Sequence, residues 1–287
     1  MSETLTFGVI GLGAMGGGMA RALVDAGHRV LGVDPDPVAC EVAKSSGVDT
    51  NCRLKDLLSS AEIIVICVAT EAALTEIYRQ IGTKKTDKPQ LIIETSTMAP
   101  GRVRLLSAIG RASGRRHIEA LLIGLPKDAA AGRLYHFVGG NEADVALARP
   151  FLEATGRDFA HLGTIGSGAT AKVLNNAIGN ATMLAFTEAI VAGEAAGIDP
   201  DTFIRAVKEA GGAGMSVVFE RHAHWTIGAE EQPPTPINQK DMSELASMLE
   251  CHGLPYPLLS EAVRAFARLP EKPGLVQAYA QSLCNRD

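Results

Sequence analysis

A short β-branched run, Thr6–Ile10, passes without a break into Gly11-Leu12-Gly13-Ala14-Met15-Gly16 and then into a helical stretch, Met15–Ala26. No other feature limits the fold of this chain as tightly. G-x-G-x-x-G alone is a weak signal; between a strand and a helix it gains the context that gives it meaning. The glycines allow a tight turn, and backbone N–H groups at a helix start offer positive charge to a pyrophosphate. A second strand, Arg29–Asp34, ends in an acid placed to accept hydrogen bonds from ribose hydroxyls. A carboxylate there repels a 2′-phosphate, and Pro35, Asp36 and Pro37 supply no arginine. The expected cofactor is therefore NAD in preference to NADP, held by Gly11, Leu12, Gly13, Ala14, Met15 and Asp34.

Strands and helices go on alternating, the signature of a parallel sheet with crossover helices. Further strands are expected at Ile63–Val68, Gln90–Glu94, His117–Ile123, Tyr135–Val138 and Asp158–His161. Helices fit at Val38–Ser45, Glu71–Ile81, Pro100–Ala112 and Glu142–Thr155. Ile63–Val68 is apolar throughout, as a strand covered on both faces should be. After Gly163 the character changes. Residues 167–196 are rich in Ala, Leu, Ile and Asn and lack proline, which reads as one helix about 45 Å long. Its apolar residues Val173, Leu174, Ile178, Leu184, Phe186 and Ile190 occupy more than one face, which a partner chain would help to cover. Helices are expected again at Asp199–Ala210 and from Ile237 and Pro257, with a Gly-rich break at Gly211–Gly214 and a Pro-rich loop at Glu230–Pro236. The fold class is α/β. A Rossmann-type doubly wound sheet over residues 1–163 precedes an all-α domain over 164–287 that includes the interdomain helix 167–196.

Composition removes several functional classes. The 287 residues are 46% hydrophobic and 21% charged, a folded rather than a disordered composition. A formal charge of −5 without a long basic block argues against nucleic acid or an anionic membrane as partner. The longest apolar run, Ile63–Ala69, is far short of the roughly 18 residues of a membrane span. The polar start leaves no room for a signal peptide, and five scattered cysteines without a CxxC pair fit reduced thiols in a cytoplasm. No metal site is expected, since His222 and His224 lack a third ligand at sensible spacing. Cys67 and Trp225 read as packing residues, and Glu188 as a partner across a helix interface.

Gly163-Thr164-Ile165-Gly166-Ser167-Gly168 leads into Ala171-Lys172-Val173-Leu174-Asn175-Asn176. On a helix Lys172, Asn176 and Asn180 fall at i, i+4 and i+8, one polar stripe on an apolar rod. A lysine in such surroundings loses solvation, which favours its neutral form and makes proton transfer feasible. An asparagine one turn on can orient a substrate hydroxyl. The same stripe also describes a lysine snorkelling to solvent, and the residues alone leave both readings open.

Together these segments resemble the β-hydroxyacid dehydrogenase family, which includes 3-hydroxyisobutyrate and tartronate semialdehyde reductases. The resemblance spans nearly the whole chain. The family's first signature is matched by Gly11 to Gly16, continuing through Met19-Ala20 and Gly27-His28. Its D-x-S-T-x-x-P segment is similar to Glu94-Thr95-Ser96-Thr97-Met98-Ala99-Pro100, its G-x-G-x-x-x-K-x-x-N-N to Gly166 through Asn176, and its late K-D to Lys240-Asp241. The resemblance implies a small-molecule substrate, a homodimer or homotetramer formed through the helical domain, and Lys172 as the catalytic lysine. It places Ser96, Ile123, Gly124, Asn176 and Lys240 against the substrate. Val68, Ala69, Thr70, Ser96, Thr97 and Lys240 are placed with the cofactor.

One segment departs. Where the family carries D-A-P-V-S-G-G, this chain reads Glu119-Ala120-Leu121-Leu122-Ile123-Gly124-Leu125, followed by Pro126. Ile123 replaces a serine and Leu125 a glycine, so a hydroxyl donor for a substrate carboxylate is lost. The carboxylate is then held elsewhere, by Lys240 or an arginine such as Arg221, or the substrate is less polar at this end. The stretch is closer to that of imine reductases, a sister group that generally lacks a lysine at the position of Lys172. The expected function is hydride transfer between NAD and a hydroxyacid or a less polar alcohol or carbonyl compound, with Lys172 as acid and base. Reduction of C=N bonds and cofactor binding without turnover are the alternatives.

Overall fold

The computed structural model describes residues 4–210, 235–252, 256–269, 279–280 and 283. Arg221, His222, His224, Trp225, the break at Gly211–Gly214 and Cys284 lie outside the described residues, as does the loop from Glu230 up to residue 234.

Seven strands form where apolar runs foretold them: β1 (Thr6–Ile10), β2 (Arg29–Val33), β3 (Ile63–Ile66), β4 (Leu91–Glu94), β5 (Arg116–Ile123), β6 (Leu134–Gly139) and β7 (Gly156–His161). They make one sheet in the order β2-β1-β3-β4-β5-β6-β7. The pairings from β2 across to β5 are parallel, but β6 runs antiparallel to β5, with Ile123 opposite Tyr135 and Glu119 opposite Gly139. The expected parallel sheet holds for every pairing but this one. A parallel crossover needs about a dozen residues or more, and residues 124–133 are too few.

The helices of the first half are α1 (Ala14–Asp25), α2 (Pro37–Ser45), α3 (Leu54–Ser60), α4 (Glu71–Thr83), α5 (Pro100–Ala112), α6 (Pro126–Ala130), α7 (Glu142–Leu147) and α8 (Arg149–Thr155). The helix expected over Glu142–Thr155 is two, with Ala148 as C-cap of one and N-cap of the next. Pro150 cannot donate the N–H that a continuous helix would need there. Two short helices, α3 and α6, were not anticipated.

Alternation along the strands sends side chains to opposite faces. Phe7, Val9, Val65 and Ile93 pack with Met19 and Leu23 of α1 on one face. Ile64, Ile66, Ile92 and Leu121 pack with Leu57 of α3, Leu74 of α4 and Val103 of α5 on the other, joined by Ala169. That residue belongs to α9 (Ser167–Ala195), a single helix of 29 residues.

Two compact units are present, Met1–Lys172 and Val173–Asp287, and the division falls inside α9. The second unit is helical among its described residues: the rest of α9, α10 (Pro200–Glu209) and helices over Thr235–His252 and Pro257–Ala267. Its core joins Val173, Ala177 and Leu184 to Leu245 and Phe266. Of the α9 residues read as needing cover, Val173, Leu184, Phe186 and Ile190 are buried within this chain; Leu174 and Ile178 stay exposed. Among the described residues no helix is long and apolar enough to cross a membrane, and no group of His, Cys, Asp and Glu could hold a metal ion.

Candidate active site

The strand order reverses at β1 and β3, and open α/β sheets bind ligands outside the carboxyl ends of their strands at such a point. Gly11 follows β1 with φ +93°, and a Cβ on it would stand 2.1 Å from the Cys67 carbonyl oxygen, so only glycine fits. A Cβ on Gly16 would meet the Gly11 carbonyl oxygen at 2.0 Å, which is how closely α1 packs on the turn. Gly13 is the N-cap of α1; no side chain caps this end, and its first turn, which begins with exposed Ala14 and half-buried Met15, carries no acid. A Cβ on Gly13 would touch nothing within 4 Å. Unsatisfied N–H groups at the positive end of a helix therefore face open space, a cradle that fits a pyrophosphate. Asp34 accepts the Leu12 N–H at 2.6 Å and the Asp36 N–H at 2.8 Å. Burial pushes the Cys67 thiol up to about 11, so beneath the turn it stays neutral.

The ends of β3 and β4 are tied together. Thr95 Oγ1 donates to the Ile66 carbonyl at 2.7 Å, and the Val68 N–H donates to Ser96 Oγ at 3.1 Å. Beyond them Ala69 is exposed, Thr97 is half-buried, and Thr70 Oγ1 accepts from the Ala73 N–H as N-cap of α4. The Ser96 N–H donates to Oε1 of the fully buried Glu94 at 2.8 Å. Tyr78 Oη lies 3.1 Å from Glu94 Oε2 and 2.7 Å from Nε2 of buried His117. Loss of water raises Glu94 to about 7, against the hydrogen bonds from Ser96 and Tyr78, and lowers His117 to about 3. Among the described residues His117 Nδ1 has no partner. A proton on Nε2 leaves a bare lone pair there instead of a buried N–H, and lets Tyr78 donate onward to Glu94. Neither Tyr78 nor His117 stands out in the sequence as a member of this network, because its parts come from separate elements.

Further along, Glu119 of β5 stands in register with Glu94 of β4. It too is buried, and its Oε1 accepts the N–H groups of Gly166 and Gly168 at 2.7 and 2.8 Å, where α9 begins. Near the carboxyl end of the same strand, the Leu122 carbonyl accepts from Lys172 Nζ at 2.7 Å. Lys172 is half-buried, and its amine is held at the carbonyl that precedes Ile123 and Gly124 in the chain. Ile123 is half-buried; Gly124 has φ +143° and is exposed, as is Leu125, whose N–H donates to Asp128 Oδ2 at 2.9 Å. Four of the residues read from the sequence thus fall at the ends of β4 and β5: Ser96, Ile123, Gly124 and Lys172.

In the second unit, Asn176 Nδ2 donates to Asp241 Oδ2 at 2.9 Å, tying α9 to the helix Thr235–His252. Lys240, beside Asp241, is exposed, and Asn180 is buried. Glu188 accepts a hydrogen bond from the Tyr279 hydroxyl.

Residues 6–164 match the family described as the NAD binding domain of 6-phosphogluconate dehydrogenase. Residues 166–278 match that described as NAD-binding of NADP-dependent 3-hydroxyisobutyrate dehydrogenase. A probable 3-hydroxyisobutyrate dehydrogenase of Mycobacterium bovis is 31% identical over 275 residues, 92% of each chain. The 3-hydroxyisobutyrate dehydrogenase of Pseudomonas aeruginosa is 31% identical over 211 residues, 72% of this chain and 70% of that one. The solved structure of the Mycobacterium tuberculosis 3-hydroxyisobutyrate dehydrogenase with L-serine has a TM-score of 0.85 at 26% identity, covering 98% of this chain and 99% of that one. The fold is shared with an imine reductase from Bacillus cereus, TM-score 0.66 at 16% identity over 98% of this chain and 99% of that one. Fold, cradle and relatives together define a nicotinamide-dependent dehydrogenase. The chain belongs to the 3-hydroxyisobutyrate dehydrogenase family of β-hydroxyacid dehydrogenases.

Proposed function

We propose that this dehydrogenase transfers a hydride between NAD and the carbinol carbon of a hydroxyacid or a less polar relative, with Lys172 as acid and base. The observation that carries the proposal is the placement of Lys172 Nζ, 2.7 Å from the Leu122 carbonyl, which precedes Ile123-Gly124 in the chain. The nicotinamide, when bound, supplies or accepts the hydride. In the oxidative direction the neutral amine of Lys172 takes the hydroxyl proton as the carbon loses hydride; in the reductive direction the ammonium returns it. The Leu122 carbonyl fixes one N–H of that amine and so orients the group. The backbone at Gly124 and the side chains of Ser96, Asn176 and Lys240 are assigned to substrate. Val68, Ala69, Thr70, Ser96, Thr97 and Lys240 are assigned to the cofactor, with the glycine-rich turn at its pyrophosphate.

Asp34 supports NAD over NADP, because a fixed carboxylate at the end of β2 repels a 2′-phosphate. Reduction of C=N bonds is the second reading, favoured by the apolar run from Leu121 to Ile123; Lys172 favours CH–OH chemistry. Residues 1–163 are assigned to the nucleotide and 164–287 to the helical domain. Exposed Leu174 and Ile178 on α9 support a homodimer or homotetramer formed through that second domain. Among the described residues Cys40, Cys52 and Cys67 form no disulfide, in keeping with the reducing cytoplasm proposed here.

Lys172→Ala tests the chemistry. It should lower kcat by roughly 10²- to 10⁴-fold, while NAD binding, followed by fluorescence titration, stays the same because the phosphate turn is separate. A variant that keeps more than half of the native kcat, with chemistry limiting turnover, would make the lysine structural only.

A further inference from the structure

Glu119 takes no part in the chemistry above, yet it lies on the strand that holds Lys172. Its side chain is buried on the sheet face that α3, α4 and α5 cover; loss of water raises its pKa, against the N–H groups at the start of α9 and the nearby charge of Arg104. One carboxylate oxygen accepts two N–H groups from the start of α9, and the other is buried with no partner among the described residues. The bonded oxygen, Oε1, is closely packed. A Cβ on Gly139 would stand 2.1 Å from Oε1 and one on Gly168 3.2 Å from it. The carboxylate thus meets the positive end of a helix, where negative charge is favoured.

A second bond between the same two elements lies further on. From Glu119 to Leu122 the strand advances about 10 Å, while from Gly168 to Lys172 the helix climbs about 6 Å. The extended lysine side chain covers the difference and ends on the Leu122 carbonyl. Strand β5 therefore grips α9 twice: by a carboxylate on its first turn and by a carbonyl on the amine one turn later.

We propose that Glu119 is a positioning residue for Lys172: it seats the first turn of α9 on β5 and so fixes where the amine meets the substrate. The proposal rests on Lys172 being the acid and base. Steady-state kinetics and NAD titration on Glu119→Leu, Glu119→Gln, Gly139→Ala and the Leu/Ala double variant test it, with Lys172→Ala as reference. Glu119→Leu should lower kcat about 10- to 100-fold, the scale on which small misplacements act, with KM and NAD affinity within about threefold of the native values. Glu119→Gln keeps an oxygen that can accept from Gly166 and Gly168 and should stay within about threefold in kcat. Gly139→Ala leaves Glu119 in the chain but sets a methyl 2.1 Å from Oε1 and 2.9 Å from the Thr164 carbonyl, so the carboxylate must give way, and the variant should reproduce the kcat loss. The double variant should lose no more than the worse single one, as residues acting through one contact do. If the leucine variant does not fold, the contrast between Gly139→Ala and Glu119→Gln decides the matter. Unchanged kcat in Gly139→Ala, or parallel losses of kcat, KM and NAD affinity, would overturn the positioning role. Full activity in Lys172→Ala would instead remove the reading on which it rests.

Discussion

At residue 34 one carboxylate is bonded to two backbone N–H groups, those of Leu12 inside the phosphate turn and of Asp36 beyond the strand. It has lone pairs left for ribose hydroxyls, but it also braces the turn that holds the pyrophosphate. The native enzyme should use NAD at least about tenfold more efficiently than NADP, close to 1.4 kcal/mol of discrimination. Asp34→Ser with Pro35→Arg should narrow or reverse that preference, and should weaken both cofactors because the Leu12 bond goes too. Equal kcat/KM for NAD and NADP in the native enzyme would refute the assignment. Asp34 was legible as an acid at a strand end; its bond to Leu12 was not, because nothing in the spacing of two residues 22 apart reports a hydrogen bond. The same holds for Glu94, His117 and Glu119. Ionisable residues inside apolar strands were visible, but which backbone groups they satisfy depends on elements far away in the chain.

Among the elements, the turn between β5 and β6 departs most from what the family would lead one to expect. Ile123 closes β5 and Leu125 lies 52% exposed beyond it, where the family carries a serine and a glycine. A hydrogen bond from a serine to a carboxylate contributes roughly 1.5–3 kcal/mol, and a carboxylate pressed on isoleucine loses water without gaining a partner. Small acids such as 3-hydroxyisobutyrate should therefore be poor substrates, and bulkier or aromatic hydroxy compounds better ones. Ile123→Ser with Leu125→Gly should move kcat/KM toward the small acids. Strong native activity on those acids, unmoved by the double change, would show that this turn does not choose the substrate. The elements that sequence reasoning placed well are the ones with a long apolar pattern, such as Ile63–Ile66 and α9. It overlooked α3 and α6, one or two turns each, whose few side chains carry too little periodicity to stand out from loop.

On the scale of the molecule, buried ionisable groups make stability depend on pH in two opposed ways. His117 and His136 are held neutral by burial, down to about 3 and about 4, against an ordinary 6.5. The unfolded chain binds protons there that the folded one does not, so stability falls as pH drops below about 6.5. Glu94 is held protonated up to about 7 against an ordinary 4.5. The folded chain binds the extra proton in this case, so stability falls as pH rises between those values. Glu94→Gln keeps an oxygen that accepts the Ser96 N–H but cannot ionise. Its free energy of unfolding relative to the native protein, followed by denaturant titration, should rise from pH 5 to pH 8 by an amount on the order of 2–3 kcal/mol. A constant difference across that range would mean that Glu94 does not titrate there.

The reversal at β6 has a consequence for the phase of α9. Because β6 runs back along β5, Gly139 ends opposite Glu119, and β7 follows β6 in parallel, with the Leu162 N–H bonded to the Val138 carbonyl. The chain thus returns level with Glu119 before α9 starts, and helix and strand then advance in the same sense. Lys172 is counted off from a fixed origin. One residue inserted between Gly168 and Lys172 would swing the amine by about 100° and lift it by about 1.5 Å, away from the Leu122 carbonyl. Loops between β5 and β7 can lengthen or shorten and leave that amine where it is, whereas the stretch from Gly168 to Lys172 cannot change in number without moving it.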